Sequence, residues 1–210
     1  MEVFSTFEKV YVINRDIDTS RLISIKQQMS LIGCENYEVV KAIDGWKGSK
    51  YYKETEENSL YDGWTKGAAG LVETTIGIIK DAKKNTYNSI VIIEDDVIFN
   101  PSIKALEKKI KDFLPPFWEL FHYTSKDYKK PIRLGKLKQL TGAWSCQCYA
   151  VNSTIYDEYI DLLETSYVPI DLITSRTFHA RGKSFAYRYN QVITLPNKSS
   201  IRGVEIDYRY

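Results

Sequence analysis

The run Ser89-Ile90-Val91-Ile92-Ile93 is dominated by β-branched aliphatic residues and stops on three consecutive carboxylates, Glu94-Asp95-Asp96. An apolar run without alternation reads as a strand buried on both faces, as in a mostly parallel sheet covered by helices. Ligands of open α/β sheets bind at the carboxyl ends of the strands, so the three acids are expected to project into such a crevice. Adjacent like charges are unfavourable unless a cation or hydrogen bonds offset them. A hard ion such as Mg²⁺ or Mn²⁺ is held by one or two protein carboxylates together with substrate phosphates. If the strand continues, Glu94 and Asp96 point the same way, and that pair is the candidate metal site, with Asp95 turned elsewhere. The bland alternative is a solvated acidic strand end, or a cap for the following helix, although Asn100 already supplies one. Taken alone, the triplet implies metal and phosphate; phosphatases and nucleotidyltransferases share such acidic pairs.

The rest of the chain alternates strand and helix patterns, which argues for one α/β layered domain over residues 1–210. Val10–Ile13 and Tyr37–Ala42 read as strands flanking a helix over Ser20–Ile32, with Leu22, Ile25, Met29 and Ile32 at helical spacing and Gly33 as its stop. Ala68–Lys84 is the clearest helix. Gly67-Ala68-Ala69-Gly70 opens it without dinucleotide-fingerprint spacing, so its expected role is close backbone approach at a helix start, where a phosphate can sit. Residues 44–66 have no clean period, as functional or mobile loops do. Pro101 opens a helix presenting Ile103, Leu106, Ile110 and Phe113. Strands are expected over Phe117–Tyr123, Ser145–Val151 and Ser184–Ile193. Ser153 is read as capping a helix to Glu164, and Pro169-Ile170-Asp171 as opening a short one.

A net charge of +2 is too small to argue for nucleic acid as the partner. No apolar run reaches bilayer length and the opening lacks a basic leader, so no transmembrane segment is expected. Three cysteines without a Cys-x-x-Cys pattern fit a reducing cytoplasm, with Cys146 and Cys148 as small buried thiols on one strand face. The 28 aromatic residues (16 Tyr, 8 Phe, 4 Trp) suit sugar binding, or simply fill the core. The six basic residues between Lys126 and Lys138 form either a solvated loop or a contact for an anionic acceptor, a diphosphate or a membrane surface. His179 reads either as a late metal ligand or, more plainly, as a structural residue.

Several segments, in order, resemble glycosyltransferase family 25, the lipopolysaccharide β-galactosyltransferase type. They are Tyr11-Val12-Ile13-Asn14-Arg15-Asp16 with Arg21-Leu22, Lys41-Ala42-Ile43-Asp44-Gly45, Gly67-Ala68-Ala69-Gly70-Leu71, Ile93-Glu94-Asp95-Asp96-Val97, Thr141-Gly142-Ala143 with Tyr149-Ala150-Val151, and Pro169-Ile170-Asp171. The resemblance implies a GT-A-like nucleotide-diphospho-sugar transferase fold with a mostly parallel or mixed sheet flanked by helices. It divides the domain into a nucleotide-sugar half over about 1–100 and an acceptor half over about 101–210. It also implies an inverting transfer from a nucleotide sugar, expected to be a UDP-sugar, to a glycan or glycoprotein acceptor. A dication at Glu94 and Asp96 would stabilise the departing diphosphate. Ile13, Asn14, Arg21, Asp44, Gly45, Gly70 and Asp95 become donor-site candidates. Asp171 becomes the candidate base, with Asp44 and Glu73 in reserve, although an acid in a helix's first turn is also a common stabilising device. The family's Ser-His after the glycine motif is Glu73-Thr74 here, so galactose is not carried over as the donor sugar. A stand-alone chain of this kind fits a bacterial or large-DNA-virus glycan pathway, or one module of a longer polypeptide. A metal-dependent nucleotidyltransferase and a non-catalytic nucleotide-sugar-binding module are the rival readings.

Overall fold

The computed structural model describes residues 2–53, 64–144 and 146–194. The first half runs β1 (Lys9–Asn14), α1 (Thr19–Ile32), β2 (Glu38–Lys41), a 3-10 turn (Gly45–Lys47), α2 (Lys66–Lys84), β3 (Ser89–Glu94) and β4 (Val97–Phe99). The second half runs α3 (Ile103–Glu107), α4 (Ile110–Phe113), β5 (Leu120–His122), β6 (Lys126–Asp127), β7 (Ile132–Leu134), β8 (Leu137–Gln139), β9 (Ala143–Trp144) and β10 (Cys148–Asn152). It closes with α5 (Tyr156–Thr165), α6 (Ile170–Ile173), a π-helical turn (Thr174–Phe178), β11 (Ser184–Tyr187) and β12 (Val192–Thr194).

Eight strands form one mixed sheet in the order β2-β1-β3-β10-β5-β11-β8-β7. β1, β2 and β3 are parallel, and β10 enters antiparallel between β3 and β5. The buried run predicted at 89–93 is β3, with Ile90, Val91, Ile92 and Ile93 all within 1% of complete burial. Its side chains alternate between two cores. Ile90 and Ile92 pack with α2 and α5 on one face, while Val91 and Ile93 pack with α1 and the N-terminal Phe4 and Phe7 on the other. Continuous hydrophobicity was therefore the correct signature, because both faces of the strand are covered.

The order of connections sets the site. β1–α1–β2 places β2 on one side of β1, and β2–α2–β3 returns across it to the other side. α1 and α2 lie on opposite faces. The strand order therefore reverses between β1 and β3, opening a crevice at their carboxyl ends. Gly33 ends α1 in the left-handed region (φ 72°), as the sequence predicts. At the far face, the buried Glu107 accepts hydrogen bonds from the Phe4 N–H and the Tyr123 and Tyr187 hydroxyls, clasping the N-terminal segment to the second half.

Some expectations change. The helix after Pro101 is two helices, because the chain leaves helical dihedrals at Lys109 (φ −120°, ψ 5°). Asn152, rather than Ser153, receives the capping hydrogen bond before α5, from the Thr154 N–H. Residues 126–138 are not a plain loop. They contain β6 and the β7–β8 hairpin, which turns at Gly135 (φ 63°), and Lys138 is buried against Asp127 at 2.7 Å. Cys146 and Cys148 are buried thiols, as expected, but on opposite faces of the sheet, since regular pairing begins only at Cys148. Residues 54–63 of the unpatterned 44–66 stretch lie outside the described residues. Among the described residues, no helix is long and apolar enough to cross a membrane.

Candidate active site

β1 ends on Asn14, a buried amide whose Nδ2 donates to Asp95 Oδ2 at 2.6 Å and to the Asp18 carbonyl at 3.2 Å. Across the crevice, Asp95 and Asp96 form the turn that follows Glu94 at the end of β3. The strand therefore does not continue through the triplet. Asp95 is engaged by Asn14 and Arg21. The Arg21 Nη1 donates to Asp95 Oδ1 at 3.2 Å and stands 3.8 Å from Asp96 Oδ2.

Arg21 sits in the first turn of α1, where the helix dipole favours an anion, and no acid is present in that turn. Its position answers the acids instead of the helix. We expect Arg21→Gln to lower stability by about 2 kcal/mol, since removing one partner leaves buried charge uncompensated. Urea unfolding at neutral pH checks this; a loss well under 1 kcal/mol would mean the acids are solvated.

Nearer the mouth, Arg15 Nε donates to Asp18 at 2.7 Å and its guanidinium lies 3.8 Å from Asp44. Asp44 accepts from the Trp46 N–H and so opens the 3-10 turn Gly45–Lys47. That turn is held down by two glycines. A Cβ on Gly45 would stand 1.8 Å from the Lys66 carbonyl oxygen, and one on Gly70 would stand 2.5 Å from the Ile43 carbonyl oxygen. Glu73-Thr74, the departure from the family pattern, fastens the same segment. Glu73 accepts from Ser49 Oγ at 2.8 Å, and Thr74 Oγ1 accepts from the Ile43 N–H at 2.9 Å.

The result is a cleft of about 480 Å³, open mouth included, lined by Ile13, Asn14, Arg21, Asp44, Gly45, Glu94 and Asp95 among others. Seven residues singled out from sequence thus share one cleft. Gly70 does not line it; it stands behind, allowing backbone to meet backbone. Arg15, Asp18 and Trp46 also line the cleft and were not singled out. The polar stretch after β1 was the available signal, but nothing in it distinguishes a mouth residue from a solvated turn.

Burial raises all three carboxyls of the triplet. Asp96 is pushed up to about 6, with Arg21 opposing the rise. Asp95 rises less freely, since Asn14 and Arg21 stabilise its charge. Glu94 is raised well above the carboxylate range by burial first, then by the negative charges of Asp96, Asp171 and Asp95. The charge of Asp171, in the first turn of α6, therefore reaches Glu94 although the residue is distant in sequence. Cys146 stands beside it, donating toward Asp171 and lying 3.5 Å from Thr174 Oγ1.

The fit of this group to a dication can be tested on its own atoms. Asp96 Oδ1 is buried with no hydrogen-bond partner, as a carboxylate oxygen awaiting a cation would be. Among the described residues no three His, Cys, Asp or Glu side chains form a ready cation cage. Two carboxylates with an open remainder fit an ion that arrives with phosphate ligands. His179 plays no part in that set. It is buried, Nε2 to Nε2 with His122 at 3.3 Å, and burial beside His122 lowers its pKa to about 2, so it stays neutral.

The sequence profile described as glycosyltransferase family 25 (LPS biosynthesis protein) matches residues 7–140. No curated protein matches the chain. Similar solved structures include a glycosyltransferase involved in the glycosylation of the major capsid of PBCV-1, at 11% identity over 86% of this chain and 91% of that one, TM-score 0.46. They also include the nucleoside-diphosphate-sugar pyrophosphorylase from Vibrio cholerae RC9, at 13% identity over 89% and 76%, TM-score 0.42. A third is mouse xyloside xylosyltransferase 1, at 12% identity over 83% and 64%, TM-score 0.35.

Proposed function

The chain belongs to glycosyltransferase family 25, and from that premise we propose that it moves a sugar from a UDP-sugar to a glycan or glycoprotein acceptor, with inversion, using Mn²⁺ or Mg²⁺. The observation that carries this reading is a cleft at the carboxyl ends of β1 and β3, lined by Asn14, Arg21, Asp44, Glu94 and Asp95, with the charges of Asp96 and Asp171 close enough to Glu94 to raise its pKa.

Glu94 and Asp96 are the residues that would hold the ion, through the unpartnered Asp96 Oδ1 and the Glu94 carboxylate. When bound, the dication supplies Lewis-acid stabilisation of the negative charge that develops on the leaving diphosphate. Asn14 and Arg21 oppose the rise that burial imposes on the Asp95 carboxyl and fix it in the cleft, where it can accept hydrogen bonds from the donor's hydroxyl groups. Arg15 and Asp44 frame the mouth. Asp171 takes the proton of the attacking acceptor hydroxyl. Trp46, half exposed on the rim, offers an apolar face to a flat ring.

The test is calorimetric titration with a panel of nucleotide sugars, with and without Mn²⁺, on the wild type and Asp96→Ala. The expected result is metal-dependent binding of one UDP-sugar that the variant loses. Binding without turnover would support the non-catalytic module, and turnover of a nucleoside triphosphate with pyrophosphate release would support the nucleotidyltransferase. If no nucleotide sugar binds at any Mn²⁺ concentration, the donor assignment fails.

A further inference from the structure

A second surface lies beside the short helix that carries Asp171. β6 and β9 form a two-stranded antiparallel ribbon in which Lys126 lies directly opposite Trp144. Residues opposite and two apart on such a ribbon share a face, so Lys126, Trp144 and Tyr128 stand together. The Tyr128 and Trp144 rings are tilted against each other at a centroid distance of 4.7 Å, and both remain substantially exposed, at 46% and 37%. A pair of large aromatic rings held rigidly yet left open to solvent is unusual for packing alone, and contiguous exposed apolar surface marks a binding site.

The platform is built, not incidental. The Tyr128 and Lys129 N–H groups both donate to the Gly142 carbonyl. A Cβ at Gly142 would stand 2.9 Å from the Tyr128 ring, so glycine lets the ring lie where it does. The Tyr128 hydroxyl is hydrogen-bonded to Ser175, one turn beyond Asp171. β9 packs against α6, which carries Asp171, and the chain passes from Trp144 to Cys146, the thiol beside Asp171, across a single residue. The platform and the base therefore ride on the same short assembly.

Charge surrounds it asymmetrically. Lys126, Lys129 and Lys130 are exposed along this edge, and Asp127, the acid among them, is held by Lys138 at 2.7 Å and by Ser125 at 2.9 Å.

We propose that Tyr128 and Trp144 form the acceptor subsite, stacking on a pyranose ring that bears a carboxylate or phosphate, with Lys126 meeting the negative group. The apolar face of a pyranose matches an aromatic platform, and Lys126 beside Trp144 selects for an anionic saccharide over a neutral one. This rests on the transferase reading for the role of Asp171 but not for the binding itself.

The experiment uses the whole chain labelled with 5-fluorotryptophan, whose four tryptophans (46, 64, 118 and 144) give separate fluorine resonances. Trp144→Phe and Trp46→Phe assign two of them. Methyl hexuronosides and the matching neutral methyl hexosides are titrated to about 100 mM, enough to saturate millimolar binding. The uronosides are expected to shift Trp144 and leave Trp118 unmoved, with the neutral sugars and the Lys126→Gln variant each weaker by about three- to tenfold. A Trp144 resonance that no uronoside moves overturns the subsite. Equal response to charged and neutral sugars, unchanged by Lys126→Gln, overturns the anionic class. In the same spectra, Trp46 at the donor cleft reports nucleotide-sugar binding. Failure of the donor reading therefore shows as a silent Trp46 beside a responsive Trp144.

Discussion

Asp96→Asn is expected to abolish sugar transfer, by about a thousandfold or more, while making the protein harder to unfold at neutral pH. The loss follows, on the proposed reading, from removing one of the two carboxylates that would hold the dication offsetting the negative charge of the leaving diphosphate. The gain follows from the same burial that makes the residue useful. The carboxyl of Asp96 is raised to about 6 in the folded state. The folded protein therefore binds that proton more tightly than the unfolded chain does, and stability falls as pH rises through this interval. Below the ordinary aspartate pKa nothing is lost; above about 6 the full penalty of the buried charge is present. Asparagine keeps the shape and removes the charge, so the variant should gain about 1–3 kcal/mol at pH 7 and melt roughly 2–4 °C higher per kcal/mol. The gain should vanish near pH 4. Calorimetric melts at the two pH values, beside a transfer assay, check it. An active variant, or one less stable at pH 7, would remove Asp96 from its proposed place.

The second large effect is predicted at a residue with no side chain. Gly45→Ala places a methyl group 1.8 Å from the Lys66 carbonyl oxygen, and the obstacle is backbone in the first turn of a 19-residue helix. Neither partner can swing aside as a flexible side chain would. The segment 43–47 must lift from α2, taking Asp44 and Trp46 out of the cleft wall. We expect a loss of about 3–5 kcal/mol, at the upper end of single-residue effects, together with loss of nucleotide-sugar binding. Gly33→Ala serves as the comparison. Its glycine has φ 72° but open space around it, so only the left-handed backbone is strained, at about 1 kcal/mol. Circular-dichroism unfolding of the two variants separates the mechanisms; comparable midpoints would show that the Gly45 contact relaxes freely.

What the sequence made legible follows what the physics makes periodic or expensive. β3 was readable because both its faces are buried, and the acid triplet because three carboxylates after such a strand need an explanation. α1 and α2 were readable from apolar spacing and from their ends. The short strands were not. β6, β7 and β9 have two or three residues each, too few to show a period, and β7 is an exposed edge of the kind proteins keep basic. That is why a hairpin resembled a charged loop, and why the pairing of Lys138 with Asp127 left no trace in composition. Cys146 and Cys148 were placed on one face by assuming a straight strand, and the break before Cys148 puts them on two. The seven residues of the cleft could be gathered from segment order. The aromatic pair at 128 and 144 could not, because nothing in sequence says that positions 16 apart will meet.

The placement of β10 between β3 and β5 has a consequence for how the protein is made. The two halves read from sequence are not separable pieces, because the most hydrophobic strand of the first borders a strand of the second. During synthesis β3 leaves the ribosome with one row of backbone amides and carbonyls unpaired, and it stays so until residues 148–152 follow it, more than fifty residues later. At ribosomal speeds that is a wait of several seconds for an open apolar edge. Truncations ending between 100 and 147 leave that edge without its partner and should be recovered as aggregates, not as nucleotide-binding fragments.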